Sequence, residues 1–261
     1  WFDILGKTLC ELTVETGAFK KHALPFLGSV LAVIDADRQL IASDQGLFLR
    51  NRTSGLLSPF AAIEDKPQNR SNDGRVHPSG ALWIGTMSKT ADTGAGAIYH
   101  VAGTQVTKLF EAVSIPNGIC FSPDGAVGYF NDSKVNHMMR VDLNPTTGMP
   151  TGTPSVFVDQ SARPGVIDGS VVDLDGTIWN CNWDGGAIDC YAPDGRQIGR
   201  IEIPTRRPTC PAFFGPNFDR LAITSCWEGL SDAERQTDVH AGKLFELGIP
   251  VKGKPEPLFK L

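Results

Sequence analysis

No stretch of this chain approaches the ~18 consecutive apolar residues that a membrane-spanning helix needs. Positive charge is not in excess: 24 Lys and Arg stand against 29 Asp and Glu, a formal charge of −5. That balance argues against nucleic acid or an anionic membrane surface as partner, since both select basic surfaces. There is no Cys-x-x-Cys pair. Cys10, Cys120, Cys181, Cys190, Cys210 and Cys226 are scattered, several of them inside apolar strand patterns, and they read as buried free thiols in a reducing, cytoplasmic setting rather than as a disulfide framework. The five His residues (His22, His77, His100, His137, His240) have no zinc-type spacing. The Gly-x-Ser-x-Gly elbow of α/β hydrolases is missing. Asp173-Leu174-Asp175-Gly176 lacks the distal acid of an EF-hand loop and reads as a turn. Helical pattern is nearly absent too: only Ser58 to Glu64 and Leu230 to Gln236 qualify, the second with Ser231 as cap and Glu234 three residues on.

What the chain does have is strands. Short apolar runs bounded by Gly, Pro, Asn and Asp recur from end to end, in 261 residues with 41% hydrophobic and 20% charged content, long enough to bury a substantial core. Turn residues Gly80, Gly125 and Gly176, with Asn217 in the equivalent place, recur at roughly 40 to 50 residues, each interval holding about four strands, which is the period of a β-propeller blade. Ala36-Asp37-Arg38 marks a further unit, and the opening hairpin supplies outer strands of a sixth. The expected fold is all-β, a single six-bladed propeller domain over residues 1–261. The chain opens on Trp1-Phe2-Asp3-Ile4 directly in a strand pattern, so the inner strands of the first blade, and any signal peptide, are expected upstream.

Aligning the repeats on their turns puts Asn72, Asn117 and Asp168 at one position, with Thr209 in the last unit. Each is expected just ahead of the innermost strand of its blade, facing a common channel mouth. Gly follows Asn117 and Asp168 at once, and the expected reason is a sharp turn of backbone into strand. Amide and carboxylate oxygens suit hard divalent cations. Asp132 and Asp73 are weighed as further acids at the mouth against simple turn roles, and Arg70 offers planar donors suited to hydroxyl or carbonyl oxygens.

These residues resemble those of the sugar lactonase family that includes gluconolactonases and regucalcin, the senescence marker protein. The resemblance runs from Trp1-Phe2-Asp3-Ile4 through Arg70-Ser71-Asn72-Asp73-Gly74, Gly85-Thr86-Met87, Pro116-Asn117-Gly118, Asp168-Gly169 and Gly185-Gly186 to Ala241-Gly242-Lys243-Leu244-Phe245. It implies one divalent metal ion (Ca, Zn, Mg or Mn) held by Asn117 and Asp168, with Asp168 also the proton donor and acceptor, and Arg70 and Asn72 contacting a sugar lactone. The implied activity is hydrolysis of that lactone to the aldonic acid; the alternative is a non-catalytic calcium-binding regulatory protein of the regucalcin type. In two places the chain departs from the family pattern. The family's third protein ligand, a Glu, is expected upstream of Trp1. A family Glu that contacts substrate falls near Thr90, beside Lys89.

Overall fold

The computed structural model describes residues 1–261, and its strands form six antiparallel sheets, each a meander of sequence neighbours. The chain divides into two compact units, one made of Trp1–Pro116, Leu143–Pro150 and Glu256–Leu261, the other of Asn117–Asp142 and Thr151–Pro255.

The first unit holds three sheets. Strands β1 (Phe2–Asp3), β2 (Thr8–Thr13) and β3 (Ala18–Ala23) make a three-stranded one. Strands β4 (Gly28–Val33), β5 (Arg38–Ser43), β6 (Gly46–Asn51) and β7 (Leu57–Ala61) follow, then β8 (Asn69–Val76), β9 (Leu82–Ser88), β10 (Gly96–Ala102) and β11 (Gln105–Val113). In the second unit the sheets are β12 (Pro116–Phe121), β13 (Val127–Asp132), β14 (His137–Asp142) and β15 (Ser155–Asp159); β16 (Val166–Val172), β17 (Ile178–Trp183), β18 (Ala187–Tyr191) and β19 (Gln197–Glu202); and β20 (Pro208–Phe214), β21 (Arg220–Ser225) and β22 (Phe245–Leu247). The one helix, α1 (Asp232–Thr237), lies between β21 and β22 and carries the full capping box expected of Ser231 and Glu234. No helix is long and apolar enough to cross a membrane.

Strands β9 and β12 are buried at every residue, whereas β11 and β19 are mostly exposed or half-buried. Packing both faces of a strand requires small or apolar residues throughout, and a strand with one face in water tolerates polar residues at every second position. In the first unit one core gathers Val30, Leu40, Leu47, Leu82, Ile84, Tyr99 and Val101, and a smaller one Leu9, Leu24, Phe26 and Ile41. The second unit has two, one around Val171, Cys181, Ile188 and Leu221 and one around Cys120, Met138, Ile178 and Tyr191. All six cysteines are free, four of them buried.

Two expectations change. Ser58 to Glu64 is not helical: Leu57–Ala61 is the outermost strand of its sheet, with Pro59 opposite Phe48 beside a register shift. Proline lacks the N–H a helix interior needs and is accommodated on an edge strand. The turn of the last unit is also displaced by one residue. Gly80, Gly125 and Gly176 take positive φ as expected, but in the last unit Phe218 (φ 54°), not Asn217, does so, closing its turn through an N–H to the Gly215 carbonyl at 3.2 Å. The segment Glu256–Leu261 forms no strand. It runs back onto the first unit, where Phe259 N–H bonds the Val33 carbonyl at 2.8 Å and Lys260 N–H the Gly80 carbonyl at 3.0 Å, and the Phe259 ring is buried in the core.

Candidate active site

Asn72, Asn117 and Asp168 do not precede their strands; each lies inside the first strand of its sheet. In two of the three that strand is bulged at this point. The register of β8 on β9 slips between Ser71 and Gly74, enclosing Asn72 and Asp73, and that of β16 on β17 slips between Ile167 and Ser170, enclosing Asp168 and Gly169. Strand β20 slips between Pro208 and Pro211, which keeps Thr209 in the same place despite its displaced turn. A bulge puts two residues opposite one and re-aims a side chain that a regular pleat would bury.

The following glycines have different causes. Gly118 does take φ +61°, as the sharp-turn reading expects. Gly169 does not; a Cβ there would sit 2.6 Å from the Thr209 carbonyl oxygen and 2.8 Å from Cys210 Sγ. Glycine at 169 is required because the backbone of β20 passes so closely.

Within the second unit one hydroxyl links Asn117 to the peptide directly ahead of Asp168. Asn117, 8% exposed, donates from Nδ2 to Ser133 Oγ at 2.8 Å, and Ser133 Oγ donates to the carbonyl of Ile167, the residue before Asp168, at 2.8 Å. Asn131 Nδ2 donates to the same carbonyl at 2.9 Å. On the other side, Asn180 Nδ2 reaches the Asp168 carbonyl at 3.1 Å, the Gly169 carbonyl at 3.4 Å and Ser170 Oγ at 2.9 Å. Asp168 is partly exposed, while Asn131 and Asn180 are completely buried. The peptides flanking Asp168 are thus clamped by side chains from the strand beside them and from the neighbouring sheet. Bulged backbone leaves ladder partners unmade, and these amides replace them.

In the first unit Arg70 and Asn72 are brought together. Arg70 Nη1 donates to Asn72 Oδ1 at 2.7 Å and to the Ser71 carbonyl at 2.9 Å, and Asn72 Nδ2 donates to the carbonyl of Pro116 at 3.0 Å, the residue before Asn117 in the chain. Asp73 Oδ1 accepts the Gly74 N–H at 2.9 Å, and Asp132 Oδ1 that of Lys134 at 3.1 Å, both local backbone roles. Thr90 itself bonds a nearby carboxylate. Asp92 Oδ2 accepts from Ser88 Oγ and Thr90 Oγ1, each at 2.8 Å. Lys89 is turned to Asp44 at 2.9 Å.

The group implied by the resemblance, a divalent cation, suits what the second unit offers. Ser133 takes the nitrogen side of the Asn117 amide, so the other side presents oxygen, and Asp168 adds a carboxylate; both are hard donors. Two thiols lie within electrostatic range of Asp168. Burial, then the charges of Cys210 and Asp168, push Cys181 well up. Burial raises Cys226 to about 11, a rise that the Glu228 N–H opposes and the charges of Glu228 and Asp168 reinforce. Both are therefore thiols rather than thiolates near neutrality. No three His, Cys, Asp or Glu side chains converge in the structure, so within residues 1–261 the ligands would be Asn117 and Asp168.

Residues 1–227 match the model of the SMP-30/gluconolactonase/LRE-like region. A protein of Rhizobium meliloti (strain 1021), provisionally named a sugar lactone lactonase, is 58% identical over 261 residues, spanning 100% of this chain and 89% of the relative. The pentonolactonase of Haloferax volcanii is 34% identical, over 98% of this chain and 88% of its own length. A crystal structure from Agrobacterium tumefaciens strain C58, of a calcium-binding protein named regucalcin, is 56% identical and superposes with a TM-score of 0.99, covering 100% of this chain and 89% of that one. The fold is accordingly the six-bladed β-propeller, and the chain belongs to the SMP-30/gluconolactonase/LRE-like family.

Proposed function

We propose that the protein is a divalent-cation-dependent lactonase that opens a sugar lactone to the aldonic acid, with Asp168 as general base and acid. The observation that carries this reading is the link from Asn117 through Ser133 to the Ile167 carbonyl, which ties one oxygen-bearing side chain to the peptide directly ahead of the other. The lactonase names of relatives covering nearly the whole chain support it.

Asn117 and Asp168 would hold the cation, which supplies Lewis-acid polarisation of the lactone carbonyl. Asp168 accepts a proton from the attacking water as the new C–O bond forms, and returns it to the ring oxygen as the ring C–O bond breaks. The clamped peptides on either side fix the backbone from which its carboxylate projects, and a fixed starting point is where orientation contributes to rate. Arg70 and Asn72 are assigned to the sugar. Arg70 is already braced against Asn72, so its rigid fork loses little entropy when it meets a ligand.

The test is hydrolysis of a panel of aldonolactones, followed by acid release, for the full-length natural protein stripped with chelator and resupplied with Ca²⁺, Zn²⁺, Mg²⁺ or Mn²⁺. Cation-dependent turnover that Asp168→Ala reduces at least 10³-fold is expected. Turnover unaffected by the substitution would remove Asp168 from its role, and no turnover with any cation would remove the enzyme reading. A non-catalytic calcium-binding protein is the second reading, favoured by the regucalcin from A. tumefaciens; it predicts Ca²⁺ binding with no lactone turnover.

A further inference from the structure

We infer that Ser133 is a positioning residue that sets which atom Asn117 turns toward the cation and ties that ligand to the backbone of Asp168. The inference rests on the proposed role of Asn117 and Asp168 as cation ligands.

A serine hydroxyl has one proton to give and two lone pairs. At Ser133 all three are spent. The proton goes to the Ile167 carbonyl at 2.8 Å, and the lone pairs accept from Asn117 Nδ2 at 2.8 Å and Asn131 Nδ2 at 3.1 Å. With its proton committed, Oγ can face only a donor, so Asn117 must present its NH₂ there. A flipped Asn117 would need the proton that Ile167 holds. One hydroxyl therefore decides between amide oxygen and amide nitrogen on the face of Asn117 opposite Ser133, and only the oxygen can ligate a hard cation.

The same hydroxyl ties Asn117 to the backbone that carries Asp168. Asn117 lies on β12 and Ile167 on β16, in different sheets of the unit, and Ser133 just beyond β13 bridges them. Asn131 reinforces the link, because its Nδ2 reaches both Ser133 Oγ and the Ile167 carbonyl. Metal-ligating side chains elsewhere depend on such outer partners for orientation, and loss of one costs about 10–100-fold in metal affinity.

Calorimetric titration of the chelator-stripped, full-length protein with Ca²⁺ and with Mn²⁺ tests this in wild type, Ser133→Ala and Ser133→Thr, alongside lactone turnover at rising cation concentration and melting in excess chelator. Ser133→Ala is expected to bind about 10–100-fold more weakly, to recover most of kcat at saturating cation, and to melt within a few degrees of wild type without cation. Ser133→Thr, which keeps the hydroxyl, is expected to bind nearly as wild type. Equal affinity in wild type and Ser133→Ala would overturn the inference while leaving the ligand assignment intact, as would a Ser133→Thr as weak as Ser133→Ala. If wild type binds no cation, the ligand assignment itself fails, and the inference with it.

Discussion

The turn between β16 and β17 supports a prediction in which burial, not hydrogen-bond count, sets the size of the effect. Asp173 is 5% exposed. Its Oδ1 accepts the N–H groups of Asp175 at 3.0 Å and Thr177 at 2.8 Å, and its Oδ2 accepts Trp179 Nε1 at 2.9 Å. In Asp173→Ala, water can reach the exposed turn and replace much of what the two backbone amides lose. It cannot reach the indole N–H as readily, since Trp179 is 9% exposed. An orphaned buried donor costs about 1–3 kcal/mol, and bonds to a charged acceptor contribute about 1.5–3 kcal/mol each before water compensates. The expected loss is about 3–4 kcal/mol. Asp173→Asn keeps the turn but sets one N–H against another at Trp179, for about 2 kcal/mol.

The equivalent turn between β12 and β13 is the control. There Asp124 accepts from Ser122 Oγ at 2.6 Å and Ala126 N at 3.0 Å, but it is exposed, so Asp124→Ala is expected to cost about 1 kcal/mol or less. Urea unfolding followed by circular dichroism measures both, and a cycle with Trp179→Phe isolates the indole bond, with an expected coupling of about 1–2 kcal/mol. If Asp173→Ala costs no more than Asp124→Ala, or if the coupling is near zero, the burial reasoning is wrong.

Two further outcomes follow from other parts of the molecule. Gly169→Ala places a Cβ 2.6 Å from backbone oxygen of β20. It is expected to destabilise by about 1–3 kcal/mol and to depress lactone turnover beyond that loss, whereas Gly248→Ala, with nothing within 4 Å, is expected to leave melting and turnover alone. Glu234 is held down at about 2 by the Ser231 backbone and hydroxyl and by Arg206. A depressed carboxylate stabilises above its unfolded value near 4.5 and loses that contribution as pH falls toward 2. The segment around α1 is therefore expected to loosen between pH 4.5 and 2, reported by emission of Trp227, which is half exposed beneath the Arg235 guanidinium, and Glu234→Gln should flatten that transition.

The frame and three of the candidate site residues are legible in the sequence for one reason. Gly80, Gly125 and Gly176 occupy left-handed backbone that few residues tolerate, so their spacing survives as a ruler from which Asn72, Asn117 and Asp168 can be counted. Bulges leave no comparable mark. Asn131, Ser133 and Asn180 sit in or beside strands where Asn and Ser look like turn formers, and their value comes from carbonyls on another strand or sheet that no local pattern reveals. Gly169 was noticed for a conformation it does not adopt, because the strand that crowds it lies some forty residues further along.

The return of Glu256–Leu261 to the first unit also bears on how the chain is made. Phe259 fills a core whose other members, from Val30 to Val101, are synthesised far earlier. The stretch Leu143–Pro150 joins the same unit, its Gly148 carbonyl accepting the buried Trp83 indole N–H at 2.9 Å. A ribosome adding residues one at a time therefore leaves that core short of a large aromatic ring until the far segment has emerged, and its apolar surface stays open during that interval. The second unit spans Asn117–Asp142 and Thr151–Pro255 and is complete in sequence before Phe259 is added. The half of the propeller that is made first is the half whose core closes last.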